Sequence, residues 1–147
     1  MMSLLRVVLG IFLGLVFAFV LVMTVEAFSA VVHPFPEGFE GTKEEICAHV
    51  EIYPAWVLAV VVPMWALVVF GGCRIAQKIG GLAASLPVGI LLLVAVGFNQ
   101  WMLPYPAWFE VANFVALPLA MVGAIWSCLA KQEPAPVEEV AGEEHSP

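Results

Sequence analysis

Four long apolar runs leave this chain little choice of fold. They extend from about Val7 to Val25, Ala55 to Cys73, Ile79 to Phe98 and Ala107 to Leu129, each of about 19–23 residues. A helix of that length rises roughly 30 Å, the thickness of a bilayer's hydrocarbon core. Backbone surrounded by lipid must satisfy its own hydrogen bonds, so even Val-rich runs are read as helices. Composition agrees. Hydrophobic residues make up 63% of the 147 residues and charged ones 12%, against roughly 45–50% apolar usage in a soluble domain. Too little polar material remains to coat a soluble globule.

The expected fold is all-α: a four-helix transmembrane bundle over residues 1–130, with helices at about 4–26, 55–78, 80–99 and 107–130. An outer loop, 27–54, joins the first two. The last 17 residues, 131–147, form an acidic tail rich in Glu, Pro and Ala, expected to be disordered because it cannot bury apolar area. The first run has the alternative of a cleaved signal, with Arg6 ahead of it and Ala27, Ser29 and Ala30 behind. Its apolar core exceeds the roughly 7–15 residues of a signal peptide, so a retained helix is expected.

Charge sets the topology. Arg6, Arg74, Lys78 and Lys131 all fall on one side of a four-span chain, and Lys43 alone on the other. The positive-inside rule puts both termini in the cytoplasm of a cell (inner) membrane. Acid collects in the loop (Glu26, Glu37, Glu40, Glu44, Glu45 and Glu51) and in the tail. Five Lys and Arg in all give no basic stripe for nucleic acid. Three scattered cysteines make no disulfide framework.

The loop carries its own signals. Thr42-Lys43-Glu44-Glu45 fits a capping box opening a short helix, Lys43 to about Ile52, which Tyr53-Pro54 ends. With His33-Pro34-Phe35-Pro36 as a stiff approach, this segment is expected to lie across the outer mouth of the bundle. Tyr53-Pro54-Ala55-Trp56 recurs as Tyr105-Pro106-Ala107-Trp108, an offset of 52. Two readings stand: a duplicated helical hairpin, or the ordinary taste of an outer-leaflet helix start for aromatics and proline.

Lipid provides no hydrophobic drive between helices, so small residues must let backbones approach. Gly10 and Gly14 form a GxxxG, and Ala112, Ala116, Ala120 and Ala124 form a stripe at four-residue spacing. Gly72, Ala76, Gly80 and Ala84 continue that spacing across the inner turn. Packing within the bundle is the first reading and contact with a second copy the other. Pro63, Pro87 and Pro118 are expected to kink their helices.

Ionisable groups within membrane reach mark candidate sites. Glu26 closes helix 1, Glu110 opens helix 4 with Asn113 one turn on, and Asn99 and Gln100 end helix 3. With His33 as a lid, these six residues make a candidate outward-facing polar pocket; a purely structural interfacial network is the alternative. Glu45, Cys47, His49, His33 and Glu26 are the candidate metal ligands of the loop region, but no HxxxH, CxxC or HExxH occurs, and no metal is expected. Haem would need a histidine inside the bundle. No phosphate loop, GxSxG or deep carboxylate pair points to an enzyme, and the chain has no Asp.

Glu26, His33-Pro34-Phe35-Pro36-Glu37-Gly38, Pro54, Gly71-Gly72, Asn99 and Pro106-Ala107-Trp108 together form a pattern over about residues 4–130. It resembles a group of small four-helix bacterial integral membrane proteins of uncharacterised function. The resemblance implies fold and membrane location, and brings no activity. The leading expectation is a non-catalytic membrane protein, accessory or interacting in role, without cofactor. Its partners would be the lipid bilayer and either another membrane protein or a second copy. The alternative is a small transporter or ligand- or ion-binding protein using the outer pocket.

Overall fold

The computed structural model describes residues 3–130 and contains five helices and no strand among them. They are α1 (Leu4–Val32), α2 (Lys43–Glu51), α3 (Ala55–Gly80), α4 (Leu82–Met102) and α5 (Ala107–Leu129). All but α2 are long and apolar enough to cross a membrane. The tail expectation lies outside the described residues. The bundle has two ends. One carries residue 3, Gly81 and Ala130 and is called the terminus end. The other carries α2 and residues 103–106 and is called the loop end.

α3 is the central helix. It packs against α1, α4 and α5, while α1 and α5 make no close backbone approach to each other. The seam with α1 shows why small residues stand where they do. A Cβ at Gly14 would lie 2.8 Å from the Gly72 carbonyl oxygen, and one at Gly10 2.8 Å from that of Ala76. A Cβ at Gly80 would lie 2.9 Å from the Arg6 carbonyl oxygen. The GxxxG and the small-residue stripe of α3 are therefore the two halves of one intramolecular contact. In the α5 stripe, Ala124 is buried against Val69, Cys73 and Leu117.

Polar groups pin α3 to its neighbours near the terminus end. Ser85 donates from Oγ to the Cys73 carbonyl at 3.1 Å, and Gln77 donates from Nε2 to the Ile125 carbonyl at 3.2 Å. Arg74 donates to the Ser127 hydroxyl, which itself donates to the Ala124 carbonyl. Arg74 is thus a half-buried member of α3, within the helix expected over 55–78. The reversal is confined to Gly81, at φ 67°, whose carbonyl accepts from both Ala84 and Ser85. A left-handed φ of this kind suits glycine. α3 therefore runs to Gly80, two residues beyond the expected 78, and α4 covers 82–102 rather than 80–99.

The largest boundary difference is in α1, which continues six residues past Glu26 to Val32. A single carboxylate does not stop a helix. Nothing between Ala27 and Val32 breaks one, whereas Pro34 excludes helical geometry for His33, and the helix ends there. The loop accordingly starts at 33. In it, Thr42 Oγ1 accepts from the Glu45 N–H at 3.3 Å while Glu45 Oε2 accepts from the Thr42 N–H at 3.0 Å, the reciprocal capping box. Those backbone donors hold the Glu45 carboxyl below its usual range. α2 makes no close backbone approach to the long helices. Side chains fasten it instead: His33 stacks on His49 at 4.2 Å between ring centroids and packs on Tyr53 at 4.4 Å.

Candidate binding pocket

All four long helices contribute to a cavity of about 60 Å³ at the loop end. α1 brings Glu26 and Ser29, three residues apart and so on one helix face. α3 brings Trp65, α4 Asn99, and α5 Phe109. Tyr53 and Tyr105 enter from the segments that precede α3 and α5. Each stands one residue before a proline that occupies the N-cap, Pro54 and Pro106, and the helices begin at Ala55 and Ala107. The recurrent Tyr-Pro-Ala-Trp therefore does the same thing twice. It starts a helix and sends its tyrosine into one shared cavity, while Trp56 and Trp108 stay exposed on the bundle surface.

The electrostatics follow from this crowding. Burial pushes the Tyr105 hydroxyl up to about 12, with the neighbouring Tyr53 and the Glu26 charge adding to it. Tyr53 is raised as well, first by burial and then by Glu26, with a side-chain hydrogen bond to Ser29 acting the other way. Both phenols stay protonated at neutral pH and remain donors. The cavity thus sets one carboxylate against two phenols, an indole, a phenyl ring, an amide and a hydroxyl. No basic side chain is among its lining residues.

The six expected pocket residues do not meet in one place. Glu26 and Asn99 share this cavity. Gln100 and Asn113 line a different one, between α4 and α5. His33 is committed to α2, with its Nε2 3.3 Å from the His49 carbonyl oxygen. Glu110 is half-buried and lines neither cavity. Trp101, next to Gln100 in the last turn of α4, is 82% exposed. Ser29, Tyr53 and Tyr105, which line the cavity together with an otherwise exposed Glu26, escaped the sequence reading of the pocket. The repeat was the signal for two of them. Among the described residues no group of three or more His, Cys, Asp and Glu is placed to hold a metal ion. Compared with known protein families, with curated proteins and with solved structures, the chain shows no significant similarity.

Proposed function

We propose that this chain is a non-catalytic integral membrane protein that binds the ammonium group of an organic cation at its loop-end pocket. The observation that carries the reading is that Glu26, itself partly exposed, lines one cavity with Tyr53, Trp65, Tyr105 and Phe109. A carboxylate supplies the counter-charge, and aromatic rings add attraction worth about 0.5–2 kcal/mol when the cation is desolvated. About 60 Å³ is several times the roughly 10–15 Å³ that one water needs, a fit for a small ammonium head rather than a large solute. The four long apolar helices support the membrane assignment. Arg6, Arg74 and Lys78 at the terminus end and Lys43 at the loop end support termini in the cytoplasm and a pocket facing out. An accessory role, in which the ammonium belongs to a lipid headgroup or a partner's lysine, is the form of this function that fits a chain without transport charges in its middle.

The test is thermal unfolding of the purified protein with methylammonium, and separately in nanodiscs with or without phosphatidylethanolamine. Binding should raise the melting temperature, the stabilisation reaching about 2.7 kcal/mol at a hundredfold excess over Kd. Glu26→Gln should abolish the rise. A soluble amine acting alone identifies a free solute as ligand, and the lipid acting alone identifies a headgroup. An equal response in Glu26→Gln, or none to either source, would refute the reading.

A further inference from the structure

Gln100 and Asn113 belong to a second cavity, of about 140 Å³, between the loop-end halves of α4 and α5. Its size is close to that of the roughly 150 Å³ engineered cavity that takes benzene. The wall is apolar apart from these two amides. Asn113 is 1% exposed, and its Nδ2 donates to the Phe109 carbonyl at 3.0 Å. A carbonyl accepts only from the nitrogen, so the amide has one orientation and Oδ1 is its free end. Oδ1 is buried without a hydrogen-bond partner, and so is Gln100 Nε2. Native structures leave few buried polar atoms unsatisfied, and here an acceptor and a donor are left on two residues that line one cavity. Gly97 adds room: a Cβ on it would meet nothing within 4 Å. With Phe114 82% exposed beside it, the cavity borders the outer surface of the bundle, where lipid would lie.

We infer that this cavity binds a membrane-soluble alcohol, an apolar body ending in a single hydroxyl. A hydroxyl serves both orphaned atoms with a single oxygen, donating to Asn113 Oδ1 while accepting from Gln100 Nε2. An ether, ketone or carboxylate only accepts and leaves Oδ1 unpaired. An ammonium only donates and leaves Nε2 unpaired. The depth of the pair also fits. Gln100 lies in the last turn of α4, and Leu93, seven residues earlier in the helix, is about 10 Å deeper toward the bundle's middle. On α5, Leu117 lies about 6 Å deeper than Asn113. A ligand so placed keeps its hydroxyl near the membrane surface and its apolar body in the leaflet. The inference shares the membrane reading of the helices with the proposed function and is independent of the Glu26 pocket.

The experiment is photo-crosslinking in phosphatidylcholine nanodiscs with a decan-1-ol carrying a diazirine, against its methyl ether. The alcohol should label residues 93–118. The ether, lacking the donor, should label them about fivefold less, the factor that corresponds to one lost hydrogen bond. Gly97→Phe, which fills the open space, and Asn113→Leu, which removes the acceptor while keeping the branched shape and number of side-chain heavy atoms, should each bring alcohol labelling down to the ether's level. Equal labelling by alcohol and ether in the parent protein would overturn the inference, whatever the variants do, and would mean partitioning against a lipid-facing groove. Undiminished labelling in a folded Gly97→Phe would overturn it as well.

Discussion

Replacing Gly14 by alanine adds one methyl group at a close backbone approach of α1 to α3. The new carbon would stand 2.8 Å from the Gly72 carbonyl oxygen and 2.9 Å from the Ala76 Cβ. Comfortable carbon contacts are about 3.5–4.0 Å, so α1 must retreat by roughly 0.7–1 Å. The oxygen cannot swing aside without disturbing the helical hydrogen bonds of α3. The retreat is also felt at Gly10, where a Cβ would already meet the Gly80 nitrogen at 2.9 Å. Overpacking of this kind costs about 1–3 kcal/mol. Alanine returns up to about 1 kcal/mol through helix propensity, leaving a net loss of about 0–2 kcal/mol when that return is realised in full. Gly97→Ala is the matched control, since it makes the same chemical change in a helix where the methyl meets nothing within 4 Å. It should be neutral or up to about 1 kcal/mol stabilising. The difference between the two variants isolates the clash. Gly10→Ala combined with Gly14→Ala should cost less than the sum of the two, because one retreat relieves both. Reversible unfolding in mixed detergent micelles measures all four. Equal stability of Gly14→Ala and Gly97→Ala would refute the close-contact account of the α1–α3 seam.

Thr42→Ala should destabilise α2 by about 1 kcal/mol through loss of the cap. The Glu45 amide would then exchange faster with solvent while the melting temperature of the bundle holds; a bundle that melts with α2 would contradict the purely side-chain attachment seen here. Burial, and then the neighbouring His33, hold the His49 imidazole below its ordinary 6.5. A depressed histidine contributes its stability in full above the unfolded value and loses it as pH falls through the folded one. Acidification below about 6.5 should therefore loosen the His33–His49 stack, read from ring NMR shifts and amide exchange over 43–51; a loop that tightens in acid would refute this. A membrane-impermeant maleimide should label Cys47 in intact cells and leave Cys73 and Cys128 unlabelled, and the reverse pattern would invert the proposed topology.

The bundle was legible because two simple constraints act on long segments. Bilayer thickness sets the length of the apolar runs, and turn chemistry at Gly81, Pro54 and Pro106 sets where they reverse. The capping box was equally plain, since its donors and acceptors lie within four consecutive residues. The end of α1 was not. Reading a helix as stopping at its first charge treats the membrane boundary as a structural boundary, whereas backbone stops only where a residue such as Pro34 forbids it. The partner of the GxxxG was undecided for a different reason. A small-residue stripe advertises close approach without saying to what. Only the juxtaposition of Gly10 and Gly14 with Gly72, Ala76 and Gly80 assigns it to the same chain.

Helix phase explains why the expected pocket divides in two. Depth alone groups Asn99 with Gln100, but neighbouring positions on a helix point about 100° apart. Asn99 therefore joins Glu26, and Gln100 turns to the α4–α5 groove and meets Asn113. Phase also shows how the missed residues were within reach. α3 and α5 both start at the loop end, so they run in the same direction, and they pack side by side. Equivalent positions at the head of two parallel neighbours lie at the same depth. A four-residue sequence that begins both helices will then place its tyrosines across a common space, whether it arose by duplication or by separate selection for an interfacial helix start. The repeat of Tyr53 at Tyr105 carried that geometric consequence under either origin, and it points to the Glu26 cavity more directly than any charged residue in the chain.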